Sequence, residues 1–258
     1  MEALIEGAAP PPLRAEVRAV PLLQPFVWVS RAIEDFRRCW RQDVAHASLM
    51  VVLGWVLLFL LGAHPYFLAA ALSGFLLGAP VMTTGLIELS RRLEAGEPTT
   101  FNDSLMPLER NGPALVRFGA VLAAFAAGWF VVSGVFLSAV LNVAPPDFLE
   151  TFYRGFLDTA TRAQLVSYLA VGAVLALLVF VLSVVTVPAI IHAHATAEQG
   201  MSLSIEVVRR SPLAMLVWST MLVAFTALGF VTLLFGMVIV IPVLGHATWH
   251  AYRDLVRV

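Results

Sequence analysis

Four long stretches of the chain contain no Asp, Glu, Lys or Arg: Ala45 to Ile87, Phe118 to Pro146, Ala163 to Ala197 and Ser211 to Tyr252. Each exceeds the ~20 apolar residues that carry a helix across a hydrocarbon core. Inside lipid a backbone must satisfy its own hydrogen bonds, which leaves helices or closed barrels. Only 13% of residues are charged and 60% are hydrophobic, with a mean hydropathy of +0.87. The expected fold class is an all-α membrane protein.

The remaining charges report orientation. The chain has no lysine, so all 16 basic residues are arginines. Six precede the first span (Arg14, Arg18, Arg31, Arg37, Arg38, Arg41) and four lie between the second and third (Arg91, Arg92, Arg110, Arg117). Arg209 and Arg210 precede the fifth, and Arg253 and Arg257 follow the last. With six spans, 14 arginines fall on one side against Arg154 and Arg162 on the other. The positive-inside rule then places both termini in the cytoplasm of a bacterial inner-membrane, multi-pass protein.

The expected spans run from about Ala45 to Leu61, Pro65 to Leu93, Pro113 to Leu141 and Ala163 to Ala197, with two more within Leu213 to Gly245 and beyond. A single helix over Leu213 to Gly245 would reach ~50 Å, too long for a ~30 Å core. A tight uncharged turn near Gly229 to Gly236 is therefore expected. His64-Pro65 is read as an outward turn, and Pro145 to Arg162 as an outer segment with a short interfacial helix. Residues 1–25, rich in Pro, Ala and Glu, read as a flexible cytoplasmic tail without a cleaved signal peptide. Residues 26–258 form the single six-span domain. It begins with an amphipathic helix, Phe26 to Arg41, whose apolar stripe is Val29, Ile33, Phe36 and Trp40. Either the inner leaflet or the protein's own inner loops would receive it.

A faint internal repeat is visible. Pro80, Glu88 to Arg92, Gly96 and Asn111-Gly-Pro in one half match Pro188, His192 to Glu198, Gly200 and Arg210-Ser-Pro in the other. Gly96 and Gly200 are read as helix stops, each followed by a Thr or Ser that caps a short cytoplasmic helix. The spans holding Pro80, Pro188 and Pro242 are expected to kink there. The strings Gly74 to Glu97 and Pro242 to Val256 resemble an uncharacterised family of bacterial integral membrane proteins, catalogued as a domain of unknown function. The likeness covers about Phe26 to Val256. A weaker likeness links the six-span layout to the membrane domain of some glycerophosphodiester phosphodiesterases. Because the closer family has no assigned activity, the resemblance implies topology and bacterial origin, and no catalytic residue.

Thr84, Glu88, Arg92, His192, His194, His246, His250 and Arg253 form the candidate site, a buried polar cluster at the inner boundary. Pro at 80, 188 and 242 frees a carbonyl that neighbouring polar groups can satisfy, and Thr84, His192 and His246 each follow one of these prolines by four residues. His246 and His250 lie at i and i+4 and are the candidate metal pair, although a stable site needs a third ligand. Glu88 and Arg92 read as an i, i+4 ion pair. Ala70, Gly74 and Gly78 make a small-residue ridge for close helix packing. Cys39 is the only cysteine, so it has no disulfide partner within the chain.

Phosphate-loop, HExxH, GxSxG and EF-hand patterns do not occur, and without lysine there is no Schiff base. The leading functional expectation is a non-catalytic membrane subunit or scaffold that packs with partner proteins or lipid. No cofactor and no nucleic-acid partner is expected. The first alternative is a transporter of an apolar or lipid-like substrate, since no charged residue lies mid-span. The second is a haem or metal-binding respiratory accessory protein using His192, His194, His246 and His250.

Overall fold

A computed structural model describes residues 13–62, 65–141 and 161–258. The expected turn at His64 and most of the outer segment from Pro145 lie outside the described residues. Ten helices are described: α1 Gln24–Leu61, α2 Pro65–Met82, α3 Thr84–Glu94, α4 Met106–Arg110, α5 Gly112–Leu141, α6 Arg162–Ser183, α7 Thr186–Ala193, α8 Ala197–Arg210, α9 Pro212–Val231 and α10 Met237–Leu255. Two-residue strands, β1 Glu16–Val17 and β2 Val256–Arg257, pair antiparallel. Among the described residues, four segments are long and apolar enough to cross a membrane: Gln24–Leu61, Gly112–Phe136, Arg162–Ala193 and Pro212–Val231. Their outward faces are apolar, with Phe59 88% and Val231 81% exposed. Lipid chains would cover such side chains at no hydrophobic cost.

α1 joins what the sequence divides into an interfacial helix and a first span. Its 38 residues break helical geometry only at Cys39, with φ −125° and ψ 28°. One stripe is buried along its whole inner side: Trp28, Ala32, Asp35, Cys39, Asp43, His46 and Met50. Of the expected stripe Val29 is buried while Ile33 and Trp40 are exposed, so the face that docks on the protein is not the one read from the apolar spacing, and the exposed side chains are left for the inner leaflet. The stripe packs on α10, and Asp254 near the end of α10 fastens the start of α1. It accepts from Gln24 Nε2 at 2.7 Å and Trp28 Nε1 at 2.9 Å, and pairs with Arg31 at 3.1 Å.

Within the expected tail, residues 13–23 are described and pack on the rest of the protein. Glu16 lies opposite Arg257 and Val17 opposite Val256, and the Arg18 N–H donates to Leu255 O at 2.8 Å. Leu13, Ala15, Val17 and Val20 pack on the main core. Apolar side chains spaced two apart suit one face of a short strand, and that alternation fixes the segment. Trp28, Trp218, Trp249 and Tyr252, each at most 1% exposed, anchor the same core.

Two helices are interrupted, and each interruption is closed by a neighbour. Between α2 and α3, the Met82 carbonyl meets His46 Nε2 at 3.2 Å. In the last turn of α6, before the break to α7, the Val181 carbonyl accepts from Ser204 Oγ of α8 at 2.7 Å. The prolines sit differently around these breaks: Pro80 precedes Thr83, whereas Pro188 follows Val185. α10 runs through Pro242 as one helix. After α9 the chain turns through Thr232 to Gly236, with Leu233 and Leu234 at φ 52° and 69°.

Gly96, at φ 69°, ends α3: its N–H reaches Leu93 O at 3.2 Å and that of Glu97 reaches Arg92 O at 2.9 Å, the paired bonds of a Schellman stop. Gly200 departs from expectation, since α8 begins earlier and runs through it. Thr196 caps that helix, exchanging bonds with Gln199 at 2.9 and 3.2 Å. The glycines of the small-residue ridge have room around them. A Cβ on Gly78 would meet nothing within 4 Å, and one on Gly74 only Ala126 at 3.8 Å; the side chain of Ala70 lies outside the described set. A close approach between elements lies instead at Gly85, where a Cβ would run into the Ser104 backbone.

Candidate buried polar site

The docking face of α1 brings two carboxylates and a thiol against the histidines of α10. His246 Nε2 lies 3.0 Å from Asp43 Oδ2, and His250 Nε2 lies 2.9 Å from Asp35 Oδ2. Ser90 of α3 links the two pairs, with its Oγ 2.7 Å from both His246 Nδ1 and Asp35 Oδ2. Cys39 Sγ donates to Asp43 Oδ2 at 3.2 Å and to Asp35 O at 3.3 Å, and lies 3.9 Å from His246 Nε2. Asp43 and His246 are completely buried, and Cys39 and Ser90 are 1% exposed.

A proton count constrains the network. Ser90 has one hydroxyl proton. If Asp35 is ionised, Ser90 donates to it and accepts from His246 Nδ1–H. His246 Nε2 and Asp43 Oδ2 then need a further proton between them, giving either an imidazolium–carboxylate pair or a neutral pair. Taking such charges out of water costs several kcal/mol each, so the arrangement holds only while every partner stays in place. One acceptor has no partner among the described residues: Asp43 Oδ1.

The expected cluster therefore divides. His246 and His250 join the carboxylates of α1, each bonded to its own aspartate. Glu88 is held through both oxygens by Arg91, at 2.7 and 2.8 Å, with Arg92 at 3.5 Å. This bidentate bonding pushes the Arg91 guanidinium above its usual range. Arg92 also reaches Asp103 at 2.7 Å and Glu97 at 3.3 Å. Hydrogen bonds from the Thr100 side chain and backbone, with Arg92 nearby, hold the Asp103 carboxyl below its ordinary value. Arg253 pairs with Glu94 at 2.9 Å, and Glu94 accepts from Trp249 Nε1 at 2.7 Å. Thr84 turns back onto the carbonyl of Val81.

His192 and His194 stand apart from the buried network. His192 Nδ1 lies 3.1 Å from the Tyr252 hydroxyl, with its ring edge-on to Trp249. His194, the αL residue closing α7, lies 3.4 Å from Asn111 Oδ1. Together with Glu88, Arg91, Arg110 and Asn111 they line a cleft of about 210 Å³, walled on its apolar side by Pro107 and Ile191. A second, apolar crevice of about 20 Å³ lies among Met50, Phe75, Phe230 and Met237. Asp35, Cys39, Asp43, His46 and Ser90 are the site residues that the sequence reading missed. Their signal is the three- and four-residue spacing of Asp35, Cys39, Asp43 and His46, which continues the apolar stripe of the first span backward.

Residues 67–192 match the family model of predicted integral membrane proteins of unknown function, DUF2189. That range runs from α2 to α7 and includes Thr84, Glu88, Ser90, Arg92 and His192, whereas α1 and α10, with Asp43 and His246, lie outside it. The first of the two strings behind the resemblance, Gly74 to Glu97, falls within the match. No curated protein and no solved structure is significantly similar to the chain.

Proposed function

We propose that the protein is a non-catalytic subunit or scaffold of the bacterial cytoplasmic membrane, with six spans, both termini in the cytoplasm and a folded polar end on the inner side. The six spans are the second half of α1, then α2, α5, α6 with α7, α9 and α10. The arginine split and the turn after α9 support this layout. The parallel order of elements from α2 to α5 and from α6 to α9 supports an origin by duplication.

One observation carries the non-catalytic reading. Asp35, Cys39, Asp43, Ser90, His246 and His250 are bonded to one another across α1, α3 and α10, and none of them lines the 210 Å³ cleft or the apolar crevice; Glu88, also buried, does line the cleft and is held there by Arg91 and Arg92. Groups so arranged join helices. The apolar outer faces are left for lipid chains and for a membrane partner. A second reading, handling of an amphiphilic anion, is favoured by the cleft. Arg110 stands exposed at its rim, beside His192 and His194 and within electrostatic reach of Asp103.

Reconstituted vesicles separate the two. Protein in liposomes should move neither protons nor a fluorescent anionic lipid above empty vesicles, while native mass measurement in mild detergent should retain a second membrane component at fixed ratio. Flux or lipid transfer that disappears in Arg110→Ala would replace the scaffold reading with the second.

A further inference from the structure

Cys39 Sγ, Asp43 Oδ2 and His246 Nε2 form a small triangle with edges of 3.2, 3.0 and 3.9 Å. A tetrahedral zinc ion with bonds of about 2.0 Å to nitrogen and oxygen and about 2.3 Å to sulfur spaces its ligand atoms about 3.3 to 3.5 Å apart. The triangle is thus one face of such a tetrahedron to within about 0.4 Å. We propose that Cys39, Asp43 and His246 bind a borderline divalent transition-metal ion, zinc being the best match, which clamps α1 to α10. The site is independent of the scaffold reading.

Four further observations support it. The donor set of one thiolate, one imidazole and one carboxylate is that of zinc rather than of calcium or magnesium, which take oxygen ligands. The other oxygen of Asp43, Oδ1, is buried and unpartnered, although Asp43 has no exposed surface. A carboxylate that leans both oxygens toward the ion would give that atom a partner. His246 is already oriented as a ligand, because Ser90, itself bonded to Asp35, holds Nδ1 and turns Nε2 toward Cys39 and Asp43. Outer partners of this kind set the tautomer and direction of metal-bound histidines. Cys39 and Asp43 are one helical turn apart, and the single non-helical residue of α1 is Cys39 itself.

Binding balances in protons. The incoming ion displaces the thiol proton of Cys39 and the proton held between His246 Nε2 and Asp43, and both leave to solvent. Sulfur, nitrogen and oxygen then donate their lone pairs to the metal, and no oxidation occurs. Each of the three ligands is at most 1% exposed, so the ion would be enclosed, as in structural zinc sites.

The test uses tag-free, full-length protein in detergent, stripped with chelator and loaded with zinc or with cobalt. We expect one zinc per chain and, with cobalt, a near-ultraviolet thiolate charge-transfer band. Cys39 is the only cysteine, so that band has one possible source. Cys39→Ser, close in shape, should lose the band and weaken zinc binding at least 100-fold, and zinc should protect Cys39 from maleimide in the wild type. His246→Gln should also lose the ion. Should that variant misfold, the Cys39→Ser spectrum decides alone. Absence of stoichiometric metal in folded wild-type protein, or metal held equally by Cys39→Ser, overturns the proposal and leaves the vesicle result untouched.

Discussion

His246→Ala, measured in chelator-treated protein, tests whether the buried network holds α1 to α10. The substitution removes the bonds to Asp43 at 3.0 Å and to Ser90 at 2.7 Å, leaving the Asp43 carboxyl with only the Cys39 thiol and no access to water. Breaking a buried pair by removing one member costs about 3–5 kcal/mol. His250→Ala is the internal comparison. That side chain is 15% exposed, and Asp35 keeps its bond from Ser90, so the loss is one hydrogen bond to a charged group, about 1.5–3 kcal/mol. In a chain of this size 1 kcal/mol corresponds to roughly 2–4 °C, so His246→Ala should lower Tm by on the order of 10 °C and by more than His250→Ala. Trp28, Trp218 and Trp249 are buried at this end of the bundle, so intrinsic fluorescence in detergent follows the transition directly. Adding Asp43→Asn to His246→Ala removes the stranded charge and should recover stability, a coupling of about 2 kcal/mol. Equal losses in the two single variants, or strict additivity in the double, would refute the argument.

Three further outcomes follow from the packing and the outer charges. Gly85→Ala should destabilise by about 1–3 kcal/mol, because its Cβ would run into the Ser104 backbone, while Gly78→Ala should be neutral or slightly stabilising in the same melt. Arg253→Ala should cost under about 1 kcal/mol, since its ion pair with Glu94 is 40% exposed on one side and 41% on the other. Asp103 has a depressed folded value, so its contribution is full above its ordinary value of 3.8 and is lost as pH falls through the folded value. Melts of Asp103→Asn should therefore lie below wild type at pH 7 and converge with it in strong acid.

The all-α membrane class is legible because lipid leaves the backbone few ways to satisfy its own hydrogen bonds, and uninterrupted apolar sequence announces it; among the described residues four segments meet the length and apolarity a span needs. The turn after α9 was likewise readable, from length alone. The site was harder. Asp35 sits among Arg31, Glu34, Arg37 and Arg38, and a charged residue in such company reads as solvated, yet Ser90 and His250 receive it on the buried side. Periodicity counted apolar residues and so selected Val29, Ile33, Phe36 and Trp40, the stripe adjacent to the one that docks. His246 and His250 share a helix face, which suggested chelation. Their true partners lie more than 200 positions away on α1, a separation that no local pattern reveals. Gly96 was read from its own dihedral need, whereas Gly200 required knowing that Thr196 and Gln199 start a helix before it.

Topology reporters address the central claim most directly. Fusions after Val258 and within Ala144 to Asp147, assayed in intact cells with one reporter active only in the cytoplasm and one active only outside it, should read inside and outside respectively. A reading of inside at both positions, or outside after Val258, contradicts six spans with a cytoplasmic polar end.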